Sequence, residues 1–278
     1  MRRILFVLTM VLGLSAADDV KADPEADRLA LVGYYQQRFP DIELQEFANG
    51  LYAFDEVARE QWIEMEDFPP YEIAIEDGEA LFNTAFENGK GYSDCFGSDG
   101  TAVRQDYPYF DSDIGGVVTL ELAINQCREA NGEIALPFME GDLAALSAYL
   151  SFASRGRMVD VVIPGDDPGA LQAYEAGKQF FYSRRGQLNF ACSSCHMQSA
   201  GLSLRADTLS TSVGQTTHWP VYRSKWGDIG TLHKRFRECN SQVRARPFEA
   251  QSEEYRNLEY FLTYMSNGLE LNGPATRR

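Results

Sequence analysis

The sequence has no long hydrophobic run: no stretch of about 18 or more residues is apolar, so no segment predicts a membrane-spanning helix. Glycine and proline are also scarce, with 23 and 11 residues in a chain of 278, which excludes collagen-like and low-complexity proteins. Basic residues do not offset the acidic ones, because 25 Lys and Arg stand against 41 Asp and Glu, a net charge of −16. We therefore expect neither nucleic acid nor a membrane among the partners of this chain.

What is present is typical of a soluble globular protein, since 44% of the residues are hydrophobic and 24% are charged. The length is sufficient for two domains of ordinary size. Strand signals are few and short, and the clearest are at residues 117–119 and 161–163. The sequence therefore predicts a mainly α fold.

Residues 1–22 have the pattern of a secretory signal peptide. Two arginines follow Met1, an apolar stretch covers residues 4–14, and cleavage is expected after Ala17 or Ala22. A membrane anchor is the alternative, but this stretch is far shorter than the roughly 20 residues of a spanning helix. We expect an exported, periplasmic protein, and in that oxidising compartment thiols tend to pair.

Cys192, Cys195 and His196 form a CxxCH motif. In such motifs the two thiols attach haem c covalently and the histidine coordinates its iron. A redox-active dithiol or half of a zinc site is the alternative, but neither requires a histidine directly after the second cysteine. We predict one covalently bound haem c at this motif.

The two halves of the chain repeat one pattern. Gly78 and Gly177 each precede a phenylalanine by four residues and a cysteine by 17 or 18 residues. Farther along, a Thr-Leu pair begins eight residues before Cys127 and again before Cys239, and a helical pattern follows each cysteine at the same distance. The offset between the halves grows from about 100 to 112 residues, which indicates about twelve inserted residues beside the haem.

This duplication predicts two tandem cytochrome c-like domains, the first without haem. We assign residues 23–155 to a degenerate, haem-less domain and residues 165–278 to the haem-binding domain, with turn-forming residues between them. Residues 23 to about 60 are expected to form helices that pack on the first domain.

The first copy reads Cys95-Phe96 where the second copy reads Cys195-His196, so it lacks both the first thiol and the iron ligand. Cys95 and Cys127 should then approach each other around the vacated pocket. We predict a disulfide between them, which contributes about 3 kcal/mol in the chain-entropy model. This pairing leaves Cys239 unexplained.

The haem iron has a second axial position, for which Cys239 is the favoured ligand because it occupies the place of Cys127 in the degenerate copy. Met265, His218 and His233 are the alternatives, although methionine in an apolar helix and a lone histidine are more often structural. Thiolate ligation lowers the potential of the iron and holds a nucleophilic sulfur beside it. The pattern favours chemistry at sulfur over simple electron transfer.

Basic residues are concentrated around Cys239, in contrast to the rest of the chain. The group consists of Arg223, Lys225, Lys234, Arg235, Arg237, Arg244 and Arg246. On a helix Arg235 and Cys239 share one face, and an arginine fork can bind two oxygens of a small dianion. A solvated basic stripe is the alternative for any one of these side chains.

The CxxCH motif, followed by Gly230 to Asn240 with its Arg-x-x-x-Cys element, resembles the SoxA family, the cytochrome subunits of L-cysteine S-thiosulfotransferase. The resemblance covers nearly the whole mature chain. Many members carry two haems, whereas this sequence is similar to the single-haem branch. The resemblance implies haem on Cys192 and Cys195, iron ligation by His196 and Cys239, a persulfide on Cys239, and thiosulfate binding by Arg235.

The resemblance further implies a catalytic role for Cys239 and Arg235 in oxidatively coupling thiosulfate to a cysteine of the SoxYZ carrier protein, with electrons passing to cytochrome c. A SoxX-like monohaem cytochrome c is the implied heterodimer partner. The alternatives are a periplasmic electron-transfer cytochrome without sulfur transfer and a haem peroxidase. Copper beside the site is a further alternative cofactor.

Overall fold

The computed structural model describes residues 22–97, 103–205 and 207–277, so residues 1–21 of the predicted signal peptide lie outside it. The fold is mainly α, as predicted. The α-helices are α1 (Pro24–Arg38), α2 (Glu56–Met65), α3 (Glu72–Phe82), α4 (Ser93–Phe96), α5 (Leu120–Ala130), α6 (Asp142–Ala153), α7 (Pro168–Tyr182), α8 (Leu232–Gln242) and α9 (Glu253–Tyr264). Within these ranges no helix is long and apolar enough to cross a bilayer.

Short strands and irregular helices connect these elements. The strands are β1 (Tyr109–Asp111), β2 (Gly116–Val118), β3 (Ser203–Leu204), β4 (Asp207–Thr208), β5 (Val221–Arg223), β6 (Asp228–Gly230) and β7 (Ala275–Arg277). β1 pairs with β2, β3 pairs with β4, and β5 lies between β6 and β7, antiparallel to β6 and parallel to β7. The 3₁₀-helices cover Leu44–Ala53 and Arg104–Asp106, and a π-helical turn covers Ser194–Gln198.

Each half of the chain contains one close helix crossing, α3 with α6 and α7 with α9. A Cβ atom on Gly78 would lie 2.1 Å from the Ala145 carbonyl oxygen, and one on Gly177 would lie 2.0 Å from that of Asn257. Only glycine permits such an approach. The two glycines and the two carbonyls stand at the two offsets read from the sequence, so the predicted duplication is visible as one repeated packing contact.

The interior of the first copy is filled by side chains. Phe82, Phe86, Tyr92 and Phe96 are buried together with apolar residues of α5 and α6. The predicted disulfide between Cys95 and Cys127 is confirmed, with a Cα–Cα separation of 6.1 Å.

The N-terminal elements pack differently from the expectation. Tyr35 of α1 and Phe47 of the first 3₁₀-helix are fully buried in one cluster with Tyr174 and Phe181 of α7, so they cover the second copy rather than the first. Tyr174 donates a hydrogen bond to Asp27 at 2.7 Å, which fixes α1 against α7. Periodicity indicated an apolar face on α1, but it could not indicate the helix that this face covers. The assigned boundary at residue 155 stays a prediction.

A buried polar group joins the two copies. The Nε2 atom of His233 lies 3.1 Å from one carboxylate oxygen of Glu259, and Arg104 lies 3.6 Å from the other, with all three side chains at most 3% exposed. The His233 Nδ1 accepts the Gln251 backbone N–H at 2.9 Å, so its Nε2 carries the proton. In the first copy, Glu121 and Ser147 occupy the places of His233 and Glu259 and form a hydrogen bond of 2.8 Å.

Substituting Gly177→Ala tests the helix crossing. Because the new Cβ has no room beside the Asn257 carbonyl, we expect the free energy of unfolding to fall by about 3 kcal/mol. Gly33→Ala on α1 is the control: nothing lies within 4 Å of its Cβ position, so alanine should raise stability by about 0.5–1 kcal/mol. Urea denaturation measures both, and equal stability of the two variants would contradict the expectation.

Replacing both Cys95 and Cys127 by alanine tests the disulfide. The bridge closes a loop with a sequence separation of 32 residues, so its loss should lower the free energy of unfolding by about 3–4 kcal/mol. Denaturation with and without reductant provides the comparison: reductant should destabilise the parent protein and leave the double variant unchanged. A parent protein insensitive to reductant would refute the prediction.

Candidate functional site

One partly open cavity in the second copy brings the predicted site residues together. Cys192, Cys195, His196, Arg235 and Cys239 all line it. The remaining lining residues include apolar side chains and a few polar ones, among them Leu51, Phe190, Leu204, Asp207, Leu209, Gln215, His218, Trp219, Arg223, Leu232, Phe236, Leu258, Leu262 and Arg277. An apolar cavity with convergent polar groups is the usual form of a cofactor site.

Hydrogen bonds to the backbone hold the CxxCH segment in place. Its second half forms the π-helical turn Ser194–Gln198, and the Ser194 hydroxyl accepts the Ala191 backbone N–H at 3.1 Å. The His196 carbonyl accepts hydrogen bonds from the Tyr35 hydroxyl at 2.6 Å and from the Ser212 backbone N–H at 3.0 Å. The N-terminal helix α1 therefore helps to position the histidine that the motif supplies.

The His196 ring is oriented to use its Nε2 as a metal ligand. Its Nδ1 lies 3.1 Å from the Ser210 carbonyl oxygen, which can only accept a hydrogen bond, so we assign the ring proton to Nδ1; the Gln215 side-chain amide also contacts this nitrogen. With the proton on Nδ1, the lone pair is on Nε2. Burial lowers the pKa of His196 to about 4, so the imidazole is neutral and able to bind a metal at ordinary pH.

The two motif thiols have an environment that suits thioether bonds. Burial raises the pKa of Cys192 to about 12, and it raises the pKa of Cys195 as well. Neither thiol is therefore favoured as a free thiolate. A thioether to haem carries no charge and no titratable proton, so covalent attachment is compatible with these apolar surroundings.

Cys239 and Arg235 lie one turn apart on α8 and face the same cavity, as the sequence predicts. The pKa of Arg235 is raised, chiefly by the charge of Cys239 and also by Glu238, while desolvation opposes the shift. The Arg235 guanidinium lies 2.5 Å from the Glu238 carboxylate. Positive charge therefore faces the Cys239 sulfur, and a carboxylate partly balances it.

Most of the basic residues that the sequence concentrates around Cys239 lie outside the cavity wall. Lys234 pairs with Glu140 at 2.6 Å, and Arg237 donates to the Phe248 carbonyl at 2.6 Å. The side chains that are exposed and do not line the cavity are Lys225, Arg244 and Arg246. From the seven basic residues of this group, Arg223 and Arg235 line the cavity.

The alternative axial ligands occupy three different places. Met265 is 1% exposed and lies in the hydrophobic core, and the ring of His233 is engaged by Glu259 and Gln251. His218 does line the cavity, with its Nδ1 3.3 Å from the Ala48 carbonyl oxygen. Met265 and His233 are absent from the cavity wall.

Two arginines that line the cavity were not identified from the sequence. Arg185, which follows α7, has its guanidinium 3.4 Å from the centre of the Phe180 ring. Its charge lowers the pKa of the Cys192 thiol, against the larger effect of burial, which raises it. Arg277 of β7 reaches the cavity from a strand more than 80 residues from the motif. Neither belongs to a periodic pattern, and the basic character of the side chain was the only available signal.

The donor set fits a covalently attached haem, because the two thiols of a CxxCH motif, a neutral imidazole and a third thiol all line one largely apolar cavity. Within the described residues, no group of three or more His, Cys, Asp or Glu side chains could hold another metal ion.

Comparisons with known proteins agree with this arrangement. The family model of the SoxA/TsdA cytochrome c domain matches residues 77–159 and 176–271, one segment in each copy. Among similar proteins, the L-cysteine S-thiosulfotransferase subunit SoxA of Allochromatium vinosum is 58% identical over 92% of this chain and 91% of its own length. That of Chlorobaculum tepidum is 55% identical over 91% of this chain and 88% of its own length.

The crystal structure of SoxXA from P. pantotrophus has a chain that matches with a TM-score of 0.71 and 30% sequence identity, covering 79% of this chain and 84% of that one. The cytochrome c domain of the matching family carries covalent haem, in agreement with the donor set described above. The sequence identities and the two matched segments show that this chain belongs to the SoxA family.

Proposed function

We propose that this chain catalyses sulfur transfer as an L-cysteine S-thiosulfotransferase subunit of the thiosulfate-oxidising type, with Cys239 as the reacting sulfur. The observation that supports this most strongly is that Cys239 and Arg235 face, one helical turn apart, the cavity that holds the CxxCH motif. Oxidative sulfur–sulfur coupling requires two reduced sulfurs and an electron acceptor; Cys239 supplies one sulfur, and the Arg235 guanidinium can bind the anion that brings the other.

Cys192 and Cys195 would hold the haem through thioether bonds, and His196 and Cys239 would bind its iron. When bound, the haem supplies an electron acceptor next to the Cys239 sulfur. Thiolate ligation requires that Cys239 stay free of disulfides, and its sulfur is unbridged in the structure. Copper remains a proposal that no described cluster of ligands supports.

The reaction would proceed in two balanced steps. The terminal sulfur of thiosulfate forms a bond to the Cys239 thiolate, and two electrons leave to cytochrome c. A cysteine thiolate of a SoxYZ-like carrier then attacks that terminal sulfur, and the Cys239 thiolate leaves, as in ordinary thiol–disulfide exchange. The carrier keeps the thiosulfate group and Cys239 is regenerated; a persulfide on Cys239 would serve the same exchange.

Arg235 would bind the sulfonate oxygens of thiosulfate. Its side chain lines the cavity together with Cys239, and Glu238 holds its guanidinium at 2.5 Å. Charge-assisted hydrogen bonds from a planar fork suit a group with several oxygens. Arg223 lines the same cavity and adds a second positive charge without an acidic partner within ion-pair distance in the described residues.

A SoxX-like monohaem cytochrome c is the proposed heterodimer partner, in line with the SoxXA complex to which this chain is structurally similar. Apolar side chains at the cavity support such a partner: Phe190 and Leu204 line it and are 45% and 52% exposed. Exposed apolar side chains around a site mark interaction surfaces. The predicted signal peptide supports a periplasmic location.

Cys239→Ala and Arg235→Met test this function. With thiosulfate, the carrier and the partner cytochrome supplied, we expect Cys239→Ala to abolish turnover. Arg235→Met should lower kcat/KM by about tenfold to a hundredfold, because charge-assisted hydrogen bonds of about 1.5–3 kcal/mol are lost. Thiosulfate-dependent reduction of cytochrome c and the mass of the carrier are the measurements.

Arg237→Met is the matched control, because Arg237 lies on the same helix and pairs with Glu249 outside the cavity. It removes one positive charge and should turn over normally. Normal turnover in Cys239→Ala or Arg235→Met would refute sulfur transfer at this site and leave a periplasmic electron carrier as the function.

A further inference from the structure

Arg277 is a buried charge without a matching anion. Its side chain is 5% exposed, its Nη1 donates to the Thr276 carbonyl at 2.9 Å, and neither Nε nor Nη2 makes a well-directed hydrogen bond, although the nearby Tyr52 hydroxyl and Glu66 carboxylate partly oppose the lowering of its pKa by burial. The guanidinium lies over the rings of Tyr52 and Trp62, 4.9 and 5.8 Å from their centres. No acidic side chain in the described ranges lies within ion-pair distance of it.

The Nε and Nη2 groups belong to a side chain that lines the cavity. Gly50 and His218 flank it there: a Cβ atom on Gly50 would lie 3.5 Å from the His218 ring and 3.6 Å from the Arg277 Nε. Burial lowers the pKa of Arg277 to about 10, so the side chain is still protonated at neutral pH. Burying a positive charge without an ion-pair partner is destabilising, and an anion in the cavity would offset that cost.

Arg277 lies in the part of the cavity wall that Gly50 and His218 form, and neither of these belongs to the CxxCH segment or to α8. Besides burial, the charge of Arg277 lowers the pKa of His218, whereas the pKa values of Cys192 and Cys195, which burial raises, are lowered by other arginines, Arg185 and Arg235 respectively. In a c-type haem the thioether bonds fix the vinyl edge of the porphyrin, and its two propionate carboxylates extend from the opposite edge. The expected place of the propionates is therefore the end of the cavity that Arg277 lines.

We propose that Arg277 binds a propionate carboxylate of the haem through its Nε and Nη2, as a bidentate pair. This inference rests on the proposed haem attachment at Cys192 and Cys195. Arg277 is a positioning residue that also raises the reduction potential of the haem, because a nearby positive charge favours the reduced iron.

The neighbouring strand supports this assignment. In the parallel pair of β5 and β7, Arg223 is the register partner of Arg277, so the two side chains leave the sheet on the same face. Arg223 also lines the cavity, and its Nε has no hydrogen-bond partner. The haem has two carboxylates, and the sheet presents two arginines on one side.

Arg277→Met tests the proposal in the purified holo-protein complex with its partner cytochrome. At a fixed applied potential, we expect the ratio of reduced to oxidised haem in this subunit to fall about tenfold, a shift of about 59 mV to more negative potential. Electron paramagnetic resonance follows the thiolate-ligated haem separately from that of the partner. The propionate bending band in the resonance Raman spectrum should also move.

Arg277→Lys and Arg157→Met complete the set of variants. Lysine keeps the positive charge but not the planar fork of the guanidinium. In Arg277→Lys the reduction potential of the haem should therefore stay near that of the parent protein, while the propionate band should still move. Arg157 is exposed and does not line this cavity, so Arg157→Met removes one charge and should change neither signal. If Arg277→Met does not fold, Arg277→Lys decides through the propionate band.

The opposite outcomes are distinct. An unchanged propionate band in both Arg277 variants overturns the proposal. So does an unchanged potential in Arg277→Met together with a raised KM for thiosulfate, because Arg277 would then bind the substrate anion. A parent protein without covalent haem would refute the proposed function as well, whereas normal haem with unchanged signals would refute the Arg277 assignment alone.

Discussion

The close crossing of two helices through a glycine is the constraint on which both copies depend. At Gly177 the backbone of α7 approaches the Asn257 carbonyl of α9 too closely for any side chain, and Gly78 repeats the contact against Ala145. Because the two backbones are in direct contact, no side chain fits between the helices at this point. The contact therefore fixes the distance and the angle at which the helices cross. The cavity and the positions of the cysteines are built on this frame.

The two copies share this helix crossing but differ in their interiors. In the first copy aromatic side chains occupy the interior, and a disulfide between Cys95 and Cys127 supplies a covalent link. In the second copy the equivalent interior stays open, and the cysteine in the place of Cys127 remains free. A core without a cofactor must reach close packing with its own side chains, because a cavity lined by apolar groups is destabilising.

The two copies also differ in the buried polar side chains at equivalent positions. In the first copy the Glu121 carboxylate accepts a hydrogen bond from Ser147, whereas in the second copy Glu259 contacts both His233 and Arg104, and Arg104 comes from the first copy. Removing one member of a buried ionic group lowers stability more than removing one member of an exposed pair. The group of Arg104, His233 and Glu259 therefore fixes the position of α8 relative to both copies. The helix that carries Arg235 and Cys239 is thereby attached to the first copy as well as to its own.

Local spacing in the sequence determined the helices, the CxxCH motif, the repeat with its two offsets, the disulfide and the shared face of Arg235 and Cys239. These follow from short-range geometry or from the parity of rare residues, which one sequence contains. Tertiary structure alone decided that α1 covers the second copy, that most of the basic residues near Cys239 point elsewhere, and that Arg185 and Arg277 reach the cavity. Such contacts join residues that are distant along the chain, and the packing free energy that selects them leaves no periodic trace in the sequence.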